Sequence, residues 1–516
     1  MAGHLTSQPS YSTPYRDNSD VDELIPTEAE SSKTARRNSE SYYPPAPSAS
    51  NIASRETEYD LDSDDLEDGI HSPTEPLMQG LIQSSKRRNI DSGQQKEEDD
   101  SGLPDFLTRG GGLLSSISNM SNSILGAGII GLPYALREAG LVTGILLLVI
   151  LGAVTDWTIR LIVINSKMSG RNTYIDIMDA CFGFRGRAIV SFFQFVFAFG
   201  GMCAFGVVLG DTIPHVLAWL LPDDPGSFVS FLISRRFVVV VLTLGISYPL
   251  SLYRDIEKLS KASALALVSM LIIVFTVGIR GPALDRSLQG DPEERWTFIQ
   301  PGVFESIGVI SFAFVCHHNS LLIYGSLKTP TLDRFARVTH ISTGLSVIAC
   351  LCMSLSGFFV FTNKTQGNIL NNFPQNDALV NIARACFGAN MFATLPLEVF
   401  VCREVMETFF WPDQLFNYTR HVIITTCVVF SALFISLTTC DLGFVLEIAG
   451  GFSATALAYL FPAACYLRLS TESAQTRNSR LAAKVCAAFG LVVMVLATSL
   501  SITRNLNGTK GAKECN

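Results

Sequence analysis

Beyond Gly112 the chain alternates long apolar runs with short polar breaks about eleven times. The runs fall near 113–137, 141–166, 188–221, 237–252, 263–279 and 304–327. Five more follow near 335–361, 379–401, 421–439, 442–467 and 481–503. Most reach the roughly 20 apolar residues that cross a bilayer as a helix. The fourth is the shortest and carries Pro249. The pattern predicts an all-α membrane protein with an acidic, disordered cytosolic tail over 1–111. An eleven-helix domain over 112–503 and a short non-cytosolic tail over 504–516 complete it.

Two spans break their own pattern. In the first, Ser121-Asn122-Ser123-Ile-Leu-Gly126-Ala127-Gly128-Ile-Ile-Gly131-Leu-Pro133 crowds glycines and a proline into an apolar run. These residues disfavour a continuous helix. Unwound backbone at membrane depth survives only where protein buries it or where it lines a polar cavity. In the sixth, Cys316-His317-His318-Asn319 sets ionisable and polar groups mid-span, where such groups usually face an interior site. The two breaks are five spans apart, the mark of an inverted five-plus-five repeat with its site at the repeat interface.

Composition agrees with a membrane protein: 48% of residues are hydrophobic and 16% charged, against about 25% charged in soluble domains. The net charge of −8 belongs to the tail. Up to Arg109 the tail holds about 10 Lys/Arg against about 22 Asp/Glu. Low aliphatic content there cannot offset chain entropy. No apolar signal segment occurs in 1–50. The 12 cysteines lie mostly in apolar runs, such as Cys203, Cys316, Cys350, Cys352 and Cys427, and read as free buried thiols.

With the tail in the cytosol, the cytosolic loops carry about sixteen Lys/Arg against about seven opposite, which sets the orientation. The sequons at Asn363 and Asn507 then face away from the cytosol, whereas the one at Asn417 faces it and stays silent. In the tail, Asp20-Val-Asp-Glu-Leu24-Ile25 resembles an acidic dileucine signal, which a sorting adaptor would read for delivery to a vacuole or lysosome. The alternatives are the plasma membrane and the endoplasmic reticulum. Arg36-Arg37-Asn38-Ser39 and Ser72-Pro73 resemble kinase sites. Lipid is the expected surround, and no nucleic-acid partner is indicated.

The first-span run Ser121 to Ala135, the sixth-span Phe314-Val-Cys316-His317-His318-Asn319 with Ile323-Tyr324, Thr394-Leu395-Pro396 and Glu447-Ile-Ala-Gly450-Gly451 together resemble the amino acid/auxin permease superfamily. Within it, fungal vacuolar and sodium-coupled neutral amino-acid transporters are the most similar branches. The resemblance covers essentially everything beyond Gly112. It implies an eleven-helix leucine-transporter-like fold and alternating access and does not fix the amino acid carried; a neutral amino acid is the expected substrate. Sodium-coupled relatives use an Asn of helix one and a Thr of helix eight, which Asn122 and Thr394 match as candidate sodium ligands. Fungal vacuolar relatives are proton-driven, and His317 is the candidate for titration near neutral pH.

A zwitterionic substrate suits such a break. Its carboxylate fits the positive end of the outer half-helix at Ser123, Gly126, Ala127 and Gly128, where glycine lets it approach bare amides. Gly128 is expected to be the approach position; a packing role would instead cost abundance and spare affinity. Freed carbonyls of spans one and six suit the ammonium. Phe312 and Phe314 are candidate pocket walls. Glu398 and Glu447 are further membrane-embedded carboxylates able to carry protons, although Glu398 is close enough in sequence to pair with Arg403. No cofactor is expected beyond a coupling ion. No Walker A motif occurs, so an ATP-driven pump or an enzyme is not expected. The rival reading is an amino-acid sensor signalling through the tail.

Overall fold

The computed structural model describes residues 113–222, 226–253, 263–327, 329–412 and 414–507. The dileucine and kinase-site signals and the tail itself lie outside these residues, as do most of 504–516. All described elements are helical. Eight helices are long and apolar enough to cross a membrane, and a ninth span arises if Gly226–Leu232 and Arg235–Ser251, bent by 51°, count as one. The remaining two expected spans are shorter apolar pieces. One is the fifth, Ser263–Arg280, and the other is the first, which is divided into Leu113–Ile124 and Leu132–Ala139.

The intact spans run Leu141–Ser169, Tyr174–Trp219, Leu332–Phe361, Ala378–Phe410, Tyr418–Thr438 and Arg477–Leu506 as spans two, three, seven, eight, nine and eleven. Span three begins earlier than hydropathy suggests, because Tyr174 starts a short helix that turns into the span at Gly183. Its φ of 63° is the left-handed region, open to glycine at little cost. Thr173 caps that helix by accepting from the Asp176 N–H. Span six divides into Val303–Phe314 and His317–Gly325. Span ten, Leu442–Leu469, contains two π-helical stretches, Ala449–Ala454 and Ala456–Leu460. Wide turns of this kind often mark functional sites.

Lipid tails are as apolar as leucine, so close packing holds such a bundle together. Small residues do this where span six meets span ten: a Cβ on Gly308 would lie 2.9 Å from the Glu447 carbonyl oxygen and 3.0 Å from the Gly451 nitrogen. Large apolar side chains such as Ile150, Phe275 and Phe434 point outward, as lipid contact requires. Cys352 and Cys427 share that outer surface, so the expectation of buried thiols fails for them. Cys440, in the short linker between spans nine and ten, is disulfide-bonded. Arg384 is fully buried on span eight. It donates to the carbonyls of Leu370 at 2.7 Å and Phe373 at 3.0 Å, fixing the 369–374 turn over the bundle.

Candidate functional site

The first span loses its helix after Ile124. Gly126 is extended, with φ −86° and ψ −154°, and a short 3-10 turn over Ala127–Gly131 leads into the outer half-helix. The Gly126 N–H is held by the Ile124 carbonyl at 2.9 Å. Ala127 and Gly128 head the outer helix, where the first N–H groups have no intrahelical acceptor. The sixth span breaks at Val315 and Cys316, both off the helical conformation.

The two breaks touch. Ser123 accepts a hydrogen bond from the Asn319 amide at 3.0 Å, joining the N-terminal half of span one to the C-terminal half of span six. A Cβ on Gly128 would lie 2.6 Å from the Ala313 Cα and 2.8 Å from its Cβ. Span six therefore fills the space beside Gly128, which is the packing role in this conformation. Gly126 is the open position: a Cβ there would meet nothing within 4 Å. Ala127 is buried beside it.

The phenylalanines separate as well. Phe312 lies with its ring 5.4 Å from Phe197 of span three, and Phe197 lies 5.4 Å from His318. These three rings gather at the sixth-span break. Phe314 is fully buried against span two, its ring tip 3.6 Å from a Cβ placed on Gly152, so it is core. Phe197 was not singled out in the sequence, where it is one of many phenylalanines in span three.

His317 is also sealed. Its Nε2 lies 2.9 Å from the Thr158 hydroxyl of span two, which donates to the Val154 carbonyl at 3.0 Å. The hydroxyl can then accept the Nε2 proton, leaving Nδ1 buried without a partner. Thr394 donates to its own helix at the Asn390 carbonyl, 2.9 Å away, which leaves hydroxyl lone pairs for a cation. Pro396 lacks the N–H that would engage the Phe392 carbonyl one turn back, adding a second oxygen of the hard type sodium takes. Asn122 is part-buried in the first half-helix, and no hydrogen bond joins it to Thr394 among the described residues. Glu447 accepts from Tyr134 at 2.7 Å, tying the outer half of span one to span ten. Arg403 does not pair with Glu398; it donates to the Ser251 carbonyl and the Thr425 hydroxyl, both at 3.0 Å.

A family model described as transmembrane amino acid transporter protein matches residues 109–503. The chain belongs to that family. It is 43% identical over 403 residues to vacuolar amino acid transporter 2 of Saccharomyces cerevisiae, covering 76% of this chain and 84% of that one. It is 39% identical over 397 residues to a Rattus norvegicus protein provisionally named sodium-coupled neutral amino acid transporter 11, covering 77% and 86%. The manganese transporter of Eremococcus coleocola, solved with an aromatic bis-isothiourea compound, superposes with a TM-score of 0.51 over 83% of this chain and 93% of its own. At 13% identity that likeness speaks for the fold alone, a leucine-transporter-like helix bundle. The chain is thus an integral membrane transporter and not an enzyme.

Proposed function

We propose that this transporter is a secondary carrier of neutral amino acids that works by alternating access and is driven by a proton gradient. The observation that carries the reading is the open backbone at Gly126, beside a second helix break and its ring group. The substrate carboxylate sits at the Ala127 and Gly128 amides, at the positive end of the outer half-helix. Carbonyls freed at the breaks accept from the ammonium. Phe312, Phe197 and His318 wall the side-chain space, and the apolar rings of the two phenylalanines favour neutral side chains over charged ones. Half-helices that hinge at the breaks expose the site to one side at a time. The vacuolar membrane is the proposed location, supported by the yeast relative.

The proton is assigned to a titratable group near the breaks, with His317 and the membrane carboxylates as candidates. Sodium coupling through Asn122 and Thr394 is the competing arrangement, supported by the rat relative's name. Purified full-length protein in liposomes decides between them. Uptake of labelled neutral amino acids should follow an imposed pH gradient and persist when choline replaces sodium. His317→Ala and Asn122→Ala then report which group the driving ion needs. Absence of gradient-dependent uptake of any amino acid would refute the carrier reading. A tail-deleted chain that keeps its flux would weigh against the sensor alternative.

A further inference from the structure

Glu398 lies on span eight one turn from Thr394, and the site described above does not use it. Its carboxylate faces span three at Gly201: a Cβ there would sit 3.8 Å from the Glu398 Cδ and 4.0 Å from Oε2. Oε2 is sealed from solvent and has no hydrogen-bond partner among the described residues, while the residue as a whole keeps part of its surface exposed. Gly200, the other half of the glycine pair, packs on Ala449 in the π-helical stretch of span ten, with 2.7 Å between its would-be Cβ and that of Ala449. Gly201 is four residues beyond Phe197, so both lie on one face of span three. One end of that face meets the ring group at the substrate space and the other meets the carboxylate.

Among the described residues no cation pairs with it. On span eight, Arg384 and Arg403 are committed to backbone and hydroxyl oxygens, and Glu404 is exposed. Glu407 pairs with Arg420 of span nine at 3.8 Å, and His421 of that span contacts the Leu252 carbonyl. On spans three and four, Asp211 and Arg235 face each other at 3.7 Å, His215 bonds the Asp211 carbonyl, and Arg236 and Arg185 are exposed. Arg187 donates to the Thr408 carbonyl, and Tyr248 shares a hydrogen bond with Thr426. Arg280 of span five pairs with Asp377 at the far end of span eight. The titratable groups left nearby, Cys203 and Cys402, are buried thiols. An unpaired carboxylate at membrane depth is costly, and taking up a proton removes that cost.

We infer that Glu398 is the group that carries the coupled proton. It accepts one proton from water on the side where the carrier is open, crosses as the neutral acid, and returns that proton to water opposite, restoring the carboxylate. The inference rests on the carrier reading and deepens it.

The test uses full-length protein in liposomes, a mixture of labelled neutral amino acids as probe, and a pH-sensitive dye inside. Wild type should take up label with a matching proton flux. Glu398→Gln should lose pH-driven uptake and proton flux to background while still exchanging internal for external amino acid. Glu398→Asp should restore both, which a merely structural role would not predict. Net uptake and proton flux at wild-type level in a well-folded Glu398→Gln protein would overturn the inference and leave the carrier reading intact. A pH dependence lost only in His317→Ala would do the same, whereas uptake by wild type that follows sodium alone would overturn the inference together with the proton-driven part of the carrier reading. Wild type that moves no amino acid at all would overturn both.

Discussion

Spans one and six break at facing positions but are held open by different means. Span one unwinds over a glycine-rich stretch, and span six over two residues that contain no glycine. In span one the backbone itself comes close: Gly128 lies against Ala313, and Gly126 opens to free space. In span six side chains do the holding, through His317 on Thr158 and Asn319 on Ser123. Glycine is thus needed for contact on one side of the site and polar side chains for anchorage on the other. Substitutions in span one should therefore act through sterics, and those in span six through lost hydrogen bonds.

The largest effect should come from Gly128→Val. The atom in its way belongs to backbone that cannot move aside, and overpacking of this kind costs about 1–3 kcal/mol or more. Membrane-inserted, monodisperse protein should nearly vanish, as size-exclusion chromatography of detergent extracts would show. Normal yield with lost affinity would instead return Gly128 to the role of approach position.

Next comes His317→Ala, which strips the Thr158 contact and empties a sealed site, although Thr158 keeps its bond to the Val154 carbonyl. A melting-temperature fall equivalent to roughly 1–3 kcal/mol is expected from the lost hydrogen bond together with the cavity left behind. Asn319→Ala removes one part-buried bond to Ser123 and should cost only about 0.5–1.5 kcal/mol. If both span-six variants melt like wild type, the two breaks do not differ as described.

The breaks were legible in the sequence because each concentrates residues hostile to an apolar helix: glycine and Pro133 in one, His317, His318 and Asn319 in the other. Which of those residues face the substrate space was not legible. Gly126 and Gly128 look alike as letters, and only the arrival of Ala313 separates the open one from the filled one. Phe312 and Phe314 differ by two positions, and helical geometry sends them to different neighbours, Phe197 and span two. Glu398 was visible as an acid in an apolar span, but its freedom from Arg403 depends on Arg403 finding Ser251 and Thr425 instead. The helix before Gly183 was hidden because it lies outside the apolar run that marks span three.

The smallest effect concerns sidedness. Asn363 is exposed and donates to Asp291 at 2.8 Å, so Asn363→Gln should remove a glycan while leaving transport unchanged. Asn417, whose side chain caps span nine by accepting from the Arg420 N–H, should never carry one. Glycosylation mapping that modified Asn417 and spared Asn363 would invert the bundle in the membrane.

The central claim is that the substrate rests on bare backbone at the first-span break, with Gly126 as the open position. Binding of labelled neutral amino acid per folded molecule, measured on purified Gly126→Val beside wild type, tests it most directly. The account predicts a variant that folds and melts like wild type, since a Cβ there meets nothing within 4 Å, but binds at background level because the side chain occupies the substrate's space. Wild-type binding by a well-folded Gly126→Val protein would contradict it.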